Sequence, residues 1–303
     1  MKDNKKHKKA EYGILITGLI ILLAVACIIA LCAGQYSVSV PEVIKILASR
    51  FVNVTKTWSN MAEGVVFTLR LPRIIGAVLV GSALSLSGAA YQGVFKNPLV
   101  APDLLGVSSG ACVGASVAIL LHLNSFGVQA MAFVAGILAV GLTLFIPRLI
   151  KNTNMTMLVL SGIIVKGIMD SVMGIIKYVA DPETELQSIT YWQLGSLTKV
   201  LPKDLFTVGP VIVAASVIIF LLRWRINILS LGDREAKTLG VSVTVVRNFI
   251  IICATLLTAS AVCISGTIGW IGLVIPHFAR MLTGPDNTKA IPASILIGVY
   301  FLW

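Results

Sequence analysis

The residues of this chain best able to do chemistry inside an apolar stretch are Lys166 and Asp170. A charge in apolar surroundings is costly, so it pairs with an opposite charge or faces a water-filled cavity. The two residues are four apart, which places them one helical turn apart on one side, and Met169 and Met173 extend that side. Two interpretations remain open: a neutralised pair that locks two helices together, or a face that lines a path for a solute. We take all four residues as candidates for such a path.

A second candidate is segment 106–110, which fits the Gly-x-Ser-x-Gly pattern of hydrolase nucleophile elbows. That pattern carries meaning only at a turn from a strand into a helix. Here it opens an apolar segment rich in Gly and Ser, residues that allow membrane helices to pack closely. His122 and His277 could serve as a base, and neither is placed near the serine by the order of the segments. We therefore expect no catalytic residue and no enzymatic activity in this chain.

The residues that could hold a metal ion or a cofactor are few. The five cysteines stand in apolar stretches without a C-x-x-C pair, which indicates small buried residues rather than ligands or disulfides. His277 follows Pro276 near a predicted helix start, where a helix-packing hydrogen bond is favoured over a proton relay or a metal ligand. The chain contains no Walker A sequence for binding ATP. We predict that it holds no metal ion and no cofactor of its own.

Two charged segments could bind other proteins. Arg70 and Arg73 form a basic pair in the sequence Arg-Leu-Pro-Arg, just before a predicted membrane helix. The segment LGDREAKTLG predicts a short amphipathic helix, in which Leu231, Ala236 and Leu239 could form one apolar patch. A helix of this kind on a loop has no core of its own to pack on. It is therefore either a solvated connection or a surface that a partner covers.

The elements that must position these residues are membrane helices. Of the 303 residues, 57% are hydrophobic and 12% are charged, whereas soluble domains have about 25% charged residues; the mean hydropathy is +0.93. Backbone groups in lipid must be hydrogen-bonded internally, which favours helices of about 20 apolar residues. We predict an all-α, polytopic transmembrane helix bundle with about nine spans. The predicted spans are 13–33, 74–92, 103–121, 127–146, 155–178, 205–222, 244–263, 268–283 and 290–303.

The distribution of Lys and Arg orients these spans. With a cytoplasmic N-terminus, most basic residues lie on inner segments, as the positive-inside rule requires. This predicts a basic cytoplasmic tail over 1–12, a single transmembrane domain over 13–303 with an inner loop at about 223–243, and an outer position for Arg70 and Arg73. The net charge of +11 lies in short segments between uncharged runs. This pattern indicates contact with a lipid bilayer and argues against nucleic acid as a partner.

Two segments of the sequence echo each other. With the predicted threading they run in opposite directions, as in secondary transporters built from inverted repeats. An ion-gradient-driven secondary transporter is therefore one possible function. The matching positions are Ser87, Gly88, Pro98 and Gly106 in the first copy and Ser265, Gly266, Pro276 and Gly284 in the second.

In four separated blocks the sequence resembles the FecCD-type permeases of bacterial ABC importers, which take up iron-siderophores, haem or cobalamin. The blocks, in the family's order, are residues 70–111, 191–197, 231–240 and 266–284. The resemblance implies a permease subunit of the ten-helix type, paired with a second copy or a paralogous permease in the bacterial cytoplasmic membrane. It also implies a cytoplasmic ATPase that binds ATP and Mg²⁺ and an extracytoplasmic substrate-binding protein. Such a subunit would move an iron chelate, foremost a siderophore with haem or cobalamin as alternatives, by alternating access driven by ATP hydrolysis on its partner.

The resemblance further implies roles for individual residues. Arg70 and Arg73 match arginines that meet acidic residues of the binding protein in this family. The coupling loop for the ATPase corresponds to Leu231, Gly232, Asp233, Arg234, Glu235, Ala236, Leu239 and Gly240. The cytoplasmic gate corresponds to Asn97, Leu99, Met155 and Thr156.

The sequence departs from the family pattern in two places. Lys166 and Asp170 stand where the family has apolar or small residues, so the chemistry of the path is expected to be particular to this protein. The family's last helix and the E-L-P-x-G segment before it are absent, and the apolar run from Ile291 to Trp303 is short for a span. We therefore expect nine spans instead of ten, because of a truncated C-terminus.

Overall fold

The computed structural model describes residues 2–152 and 154–302, apart from the side chains of residues 2–9. Every regular element in that part of the chain is helical, which confirms the predicted all-α class. A π-helical segment (Val65–Arg70) and a 3₁₀ turn (Pro102–Leu105) join the α-helices. The α-helices are α1 (Lys2–Cys32), α2 (Val40–Ala48), α3 (Asn60–Gly64), α4 (Leu71–Phe95), α5 (Val107–Leu120), α6 (Ser125–Leu149), α7 (Met155–Val179), α8 (Glu185–Leu194), α9 (Pro202–Leu231), α10 (Asp233–Thr238), α11 (Val243–Ser265), α12 (Ile271–Thr283) and α13 (Asn287–Tyr300).

Six of the described helices are long and apolar enough to cross a membrane. They are α1, the continuous helix that contains α4, α6, α7, α9 and α11, whereas α5 and α12 are apolar but shorter. α4 and α11 are the most enclosed of the six, and α1 is almost wholly exposed. The bundle is thus arranged around α4 and α11, and the remaining helices turn apolar side chains outward, as expected where the solvent is lipid.

Glycines allow the helices at the centre to approach closely. A Cβ atom at Gly88 of α4 would lie 1.9 Å from the Gly272 carbonyl oxygen of α12, and one at Gly81 would lie 2.4 Å from the Gly298 carbonyl oxygen of α13. Association in lipid depends on van der Waals contact between helices, and small residues bring the backbones together. The Gly-rich blocks of the sequence are therefore packing surfaces.

The helix that contains the predicted span 205–222 is longer than that span. The predicted span 205–222 is the middle of α9, which continues to Leu231 and ends at Gly232, where φ is +145°. The predicted inner loop at about 223–243 is therefore largely helical. A helix leaving the membrane can continue into water, so the change from apolar to charged residues did not mark its end.

The predicted span 103–121 is interrupted. Gly106 has a φ of +80°, a left-handed conformation that suits glycine, and it separates the 3₁₀ turn from α5. The Gly-x-Ser-x-Gly pattern thus begins between two helical elements, and the strand that a nucleophile elbow requires is not there.

Segment 34–73, predicted to lie outside the membrane, is more helical than predicted. The predicted surface helix at Pro41 is present as α2. A second helix begins at Asn60, after the Ser59 side chain accepts a hydrogen bond from the Ala62 backbone N–H at 3.0 Å, and it runs without a break into α4. Arg70 therefore lies inside a helix and not ahead of one. The helix α8 was not predicted.

At the N-terminus, the backbone of the predicted tail over 1–12 is, from Lys2 onward, the first part of α1. The side chains of its lysines up to Lys9, like Met1 and Trp303, lie outside the described residues. The last predicted span, 290–303, corresponds to α13.

The two echoing segments do not have equivalent structures. Gly88 lies in the middle of α4, whereas Gly266 follows the end of α11 with a φ of +68°. Pro98 lies in a turn, whereas Pro276 lies inside α12. At these positions the two segments therefore differ in local structure.

Candidate functional site

Arg70 and Arg73, the predicted docking pair, have different surroundings. Arg70 Nη1 donates to the carbonyl oxygens of Leu31 (2.6 Å) and Cys32 (3.2 Å), and Nη2 donates to the Tyr36 carbonyl. Its guanidinium therefore satisfies the carbonyl groups at the end of α1, which would otherwise be unpaired. Arg73 is exposed one turn further along the same helix. Of the predicted docking pair, Arg73 is the residue whose charge faces outward.

α10 divides the predicted coupling residues into buried and exposed ones. Ala236 is 0% exposed and packs into the main core, whereas Leu231 and Leu239 are 64% and 59% exposed. The predicted apolar surface patch therefore contains Leu231 and Leu239 but not Ala236, because Ala236 faces α9 and α11. Arg234 and Glu235 are exposed, and Gly232 and Gly240 take positive φ values where the chain turns.

Asp233 forms a cluster that the sequence did not indicate. Its Oδ1 lies 2.8 Å from Lys96 Nζ at the end of α4, and Arg247 Nη2 of α11 donates to both carboxylate oxygens at 2.8 and 2.9 Å. Hydrogen bonds from Arg247 and Lys96 lower the pKa of Asp233 to about 2, so the carboxylate is ionised near neutral pH. We call Lys96, Asp233 and Arg247 the Asp233 triad.

The partner of Lys166 is not Asp170. Lys166 Nζ lies 3.0 Å from Asp103 Oδ2 in the 3₁₀ turn, and Asp103 Oδ1 accepts from the Ser108 backbone N–H at 3.2 Å. Gly162 permits this contact, since a Cβ atom there would lie 2.2 Å from the Leu104 carbonyl oxygen. The predicted pair within α7 is thus replaced by a pair between two elements. The signal that could have found it is Asp103 itself, a charge in a predicted span.

Asp170 and Asp103 line a cavity of about 240 Å³ between the 3₁₀ turn, α5, α7 and the start of α12. Ser109, a buried residue of α5, lines it as well. Met173, by contrast, is buried in one apolar cluster with Cys112 and is not among the residues that line this cavity. Of the four path candidates, the structure groups the two charged residues near a polar cavity and places Met173 in the core; Met169 is half-buried on the same helix.

The predicted gate residues belong to two turns. Asn97 Oδ1 accepts from the Leu99 backbone N–H at 2.9 Å, and Leu99 is 78% exposed in the turn after α4. Met155 and Thr156 begin α7, where Met155 is half-buried and Thr156 is exposed. His277 is exposed on α12; the predicted packing hydrogen bond is not formed within the described part of the chain.

Comparison with known proteins identifies the family. The model of the FecCD transport family matches residues 22–303. The molybdate import system permease protein of Haemophilus influenzae is 36% identical over 293 residues, which cover 96% of this chain and 86% of that protein. An iron chelatin transport system permease protein of Helicobacter pylori is 41% identical over 238 residues, which cover 78% of this chain and 72% of that protein.

A solved structure agrees with these relatives. An inward-facing conformation of a metal-chelate type ABC transporter superposes with a TM-score of 0.83 at 34% identity, over 95% of this chain and 87% of that chain. The resemblance of the four sequence blocks is thereby confirmed. The chain belongs to the FecCD transport family and is the permease subunit of an ABC importer in the cytoplasmic membrane.

Proposed function

We propose that this permease moves an iron chelate, foremost a siderophore, into the cytoplasm by alternating access. It works with a second copy of itself or a paralogous permease. A cytoplasmic ATPase, which binds ATP and Mg²⁺, drives the change of conformation, and an extracytoplasmic binding protein delivers the cargo. In this arrangement the N-terminus is cytoplasmic. The permease couples movement of the ATPase to movement of its own helices, whichever cargo it carries.

The observation that carries the proposal is the exposed apolar pair Leu231 and Leu239, which flanks α10. Two leucines that expose 64% and 59% of their surface in a short charged connection favour a partner that covers them. The connection lies on the side that the positive-inside rule makes cytoplasmic. A cytoplasmic ATPase is the partner that fits this surface in an ABC importer.

The outer end supports the second partner. Arg73 presents an exposed positive charge at the opposite end of the helices from α10, where acidic residues of a binding protein could meet it. Rim charges of this kind mainly set the rate and orientation of docking. The proposed gate, at Asn97, Leu99, Met155 and Thr156, opens or closes the inner end.

The cargo has two candidates. An iron chelate is favoured by the similarity to the iron chelatin permease of Helicobacter pylori, the more identical of the two relatives above. Molybdate is the second candidate, because the Haemophilus influenzae permease named for molybdate import matches over almost the whole chain.

Uptake by the reconstituted transporter tests the proposal. The permease is placed in proteoliposomes with the ATPase and the binding protein of its own transport system, and uptake of a radiolabelled ferric hydroxamate, haemin, cobalamin and molybdate is compared. We expect ATP-dependent, vanadate-sensitive uptake of the ferric hydroxamate above the other three. Molybdate uptake in its place would select the second candidate. Uptake that persists without the ATPase and collapses with the ion gradient would contradict the importer mechanism.

A further inference from the structure

We infer that Asp233 is a positioning residue that transmits movement of α10 to the cytoplasmic turn after α4, through its ion pair with Lys96. The inference rests on the proposed function, in which the ATPase binds beside α10. It adds a specific connection between the docking helix and the proposed gate, made by Lys96, Asp233 and Arg247.

The Asp233 triad joins three elements at the inner end of the bundle. Asp233 is the first residue of α10, Lys96 caps the end of α4, and Arg247 lies in α11. The contacts measure 2.8 Å from Lys96 and 2.8 and 2.9 Å from Arg247. Lys96 and Asp233 are 137 residues apart in sequence, so this contact bridges parts of the chain that the backbone does not connect directly.

Lys96 is placed where a small displacement reaches the gate turn. Its φ is +53°, a left-handed value that is uncommon for a residue with a side chain, and Asn97 follows it directly. The backbone N–H groups of Lys96 and Asn97 both donate to the Gln92 carbonyl oxygen. Because Lys96 determines how the chain leaves α4, a pull on its ammonium group shifts the turn that contains Asn97 and Leu99.

The same turn is connected to α12. Gln92 Nε2 donates to the carbonyl oxygens of Val100 (3.3 Å) and Leu273 (3.1 Å), and Arg280 Nη1 donates to Gln92 Oε1. A continuous series of polar contacts therefore runs from α10 through Lys96 and Gln92 to α12. A series of contacts does not by itself establish energetic coupling between its two ends, so the coupling has to be measured.

The triad has the properties of a contact that changes during a cycle. The side chains of Lys96 and Asp233 are 34% and 47% exposed, and ion pairs at such positions hold weakly. Arg247 Nη2 serves both carboxylate oxygens, while its Nε is buried without a hydrogen-bond partner in the described structure. A guanidinium can instead offer two nitrogens in a fork, so a second arrangement of the same groups is available when α10 moves.

Labelling of the gate turn tests the inference without knowledge of the cargo. A single reporter cysteine is introduced as Leu99→Cys after the five native cysteines have been replaced, and the permease–ATPase complex is reconstituted in nanodiscs. The rate of reaction with a maleimide is measured without nucleotide and with ATP plus vanadate. We expect nucleotide to change this rate in the parent, and Lys96→Met to abolish most of that change while ATP hydrolysis and copurification of the ATPase persist.

Lys151→Met is the matched control. Lys151 is also an exposed lysine with a positive φ, +55°, after the end of a helix, and it has no ion pair among the described residues. This variant should keep the full nucleotide response, and Lys96→Arg should restore it. The double variant Lys96→Met, Asp233→Asn should lose no more than Asp233→Asn alone, since both changes break one connection.

The outcomes separate the inference from the function on which it rests. The proposed function would be overturned if the ATPase did not bind the unmodified permease and did not hydrolyse ATP in its presence. A functional complex in which Lys96→Met keeps the nucleotide response would overturn only the inference. An equal loss in Lys151→Met, a failure of Lys96→Arg to restore the response, or no nucleotide effect at Leu99 in the parent would overturn it as well.

Discussion

Arg70 and Arg73 show how two identical side chains three residues apart differ in the work they can do. Arg70 is bound to three carbonyl groups at the end of α1 and beyond, whereas Arg73 is exposed. Hydrogen bonds from a charged group contribute about 1.5–3 kcal/mol each. Arg70 is therefore a structural residue first, and Arg73 is the better candidate for contact with the binding protein.

This difference predicts opposite effects of two substitutions. Arg73→Glu should weaken binding of the binding protein by roughly fivefold, more at low salt than at high salt, and leave thermal stability unchanged. Arg70→Ala should lower the melting temperature of the purified permease, because it leaves carbonyl groups at the end of α1 unpaired. Binding measured by surface plasmon resonance and melting measured by fluorescence separate the two. Equal effects of both variants on both measurements would contradict the assignment.

Ala236 and Leu239, in and beside α10, also differ in burial and therefore in the effect expected of a substitution. Ala236→Arg forces a long charged side chain into a site that is 0% exposed, so it should destabilise the fold by several kcal/mol, about 3 or more. Leu239→Ser, at a residue that is 59% exposed, should reduce copurification of the ATPase without lowering thermal stability. A stable Ala236→Arg permease would show that α10 can detach from the core. Normal copurification with Leu239→Ser would remove that leucine from the docking surface.

At the scale of elements, the contact between α7 and the 3₁₀ turn decides how the intramembrane charges are neutralised. Lys166 neutralises Asp103, and Asp170 of the same helix lines the cavity. Charges at such a depth face a partner or water. The two interpretations of this face therefore apply to different residues: Lys166 pairs with a second element, and Asp170 is the residue that we propose for contact with a solute.

This division predicts that Lys166→Met and Asp170→Asn have different consequences. Lys166→Met should lower stability by about 1–3 kcal/mol, because it leaves the Asp103 carboxylate without its cation, and adding Asp103→Asn should recover part of the loss. Asp170→Asn should leave stability unchanged and alter the uptake rate or the preference among the cargo compounds. Melting curves and uptake assays measure the two effects. Unaltered uptake in both Asp170→Asn and the combination of Asp170→Asn with Lys166→Met would exclude this face from the path.

At the scale of the whole molecule, the asymmetry of charge predicts the orientation in the membrane. The acidic connection around Asp181 to Glu185 is predicted to lie outside and the basic segments inside, so the two proposed docking surfaces would lie on opposite sides. We therefore expect a cysteine at position 183 to react with a membrane-impermeant maleimide in intact cells, and one at position 235 to react only after permeabilisation. Both positions are exposed in the structure. The reverse pattern of labelling would invert the topology and exclude α10 as the ATPase surface.

Much of the architecture follows from local sequence. Runs of apolar residues, their breakers and the distribution of Lys and Arg predicted a helical membrane bundle with its partner surfaces at opposite ends, because the bilayer imposes length, internal hydrogen bonding and charge placement on each segment separately. The observed helices extend beyond the predicted spans where they pass from the membrane into water. α9 continues into water beyond its apolar part, and the helix of α4 begins before it.

The tertiary structure alone decided which charged groups meet. Lys166 forms an ion pair with Asp103, which is 63 residues away, and not with the neighbouring Asp170. Asp233 likewise pairs with Lys96, which is 137 residues away. Burial of Ala236 and the capture of Arg70 by the end of α1 likewise depend on the approach of distant elements. Residue type and spacing along the chain specify how a segment interacts with its solvent. They do not specify which segment will lie beside it, and that is what sets the partner of each charge.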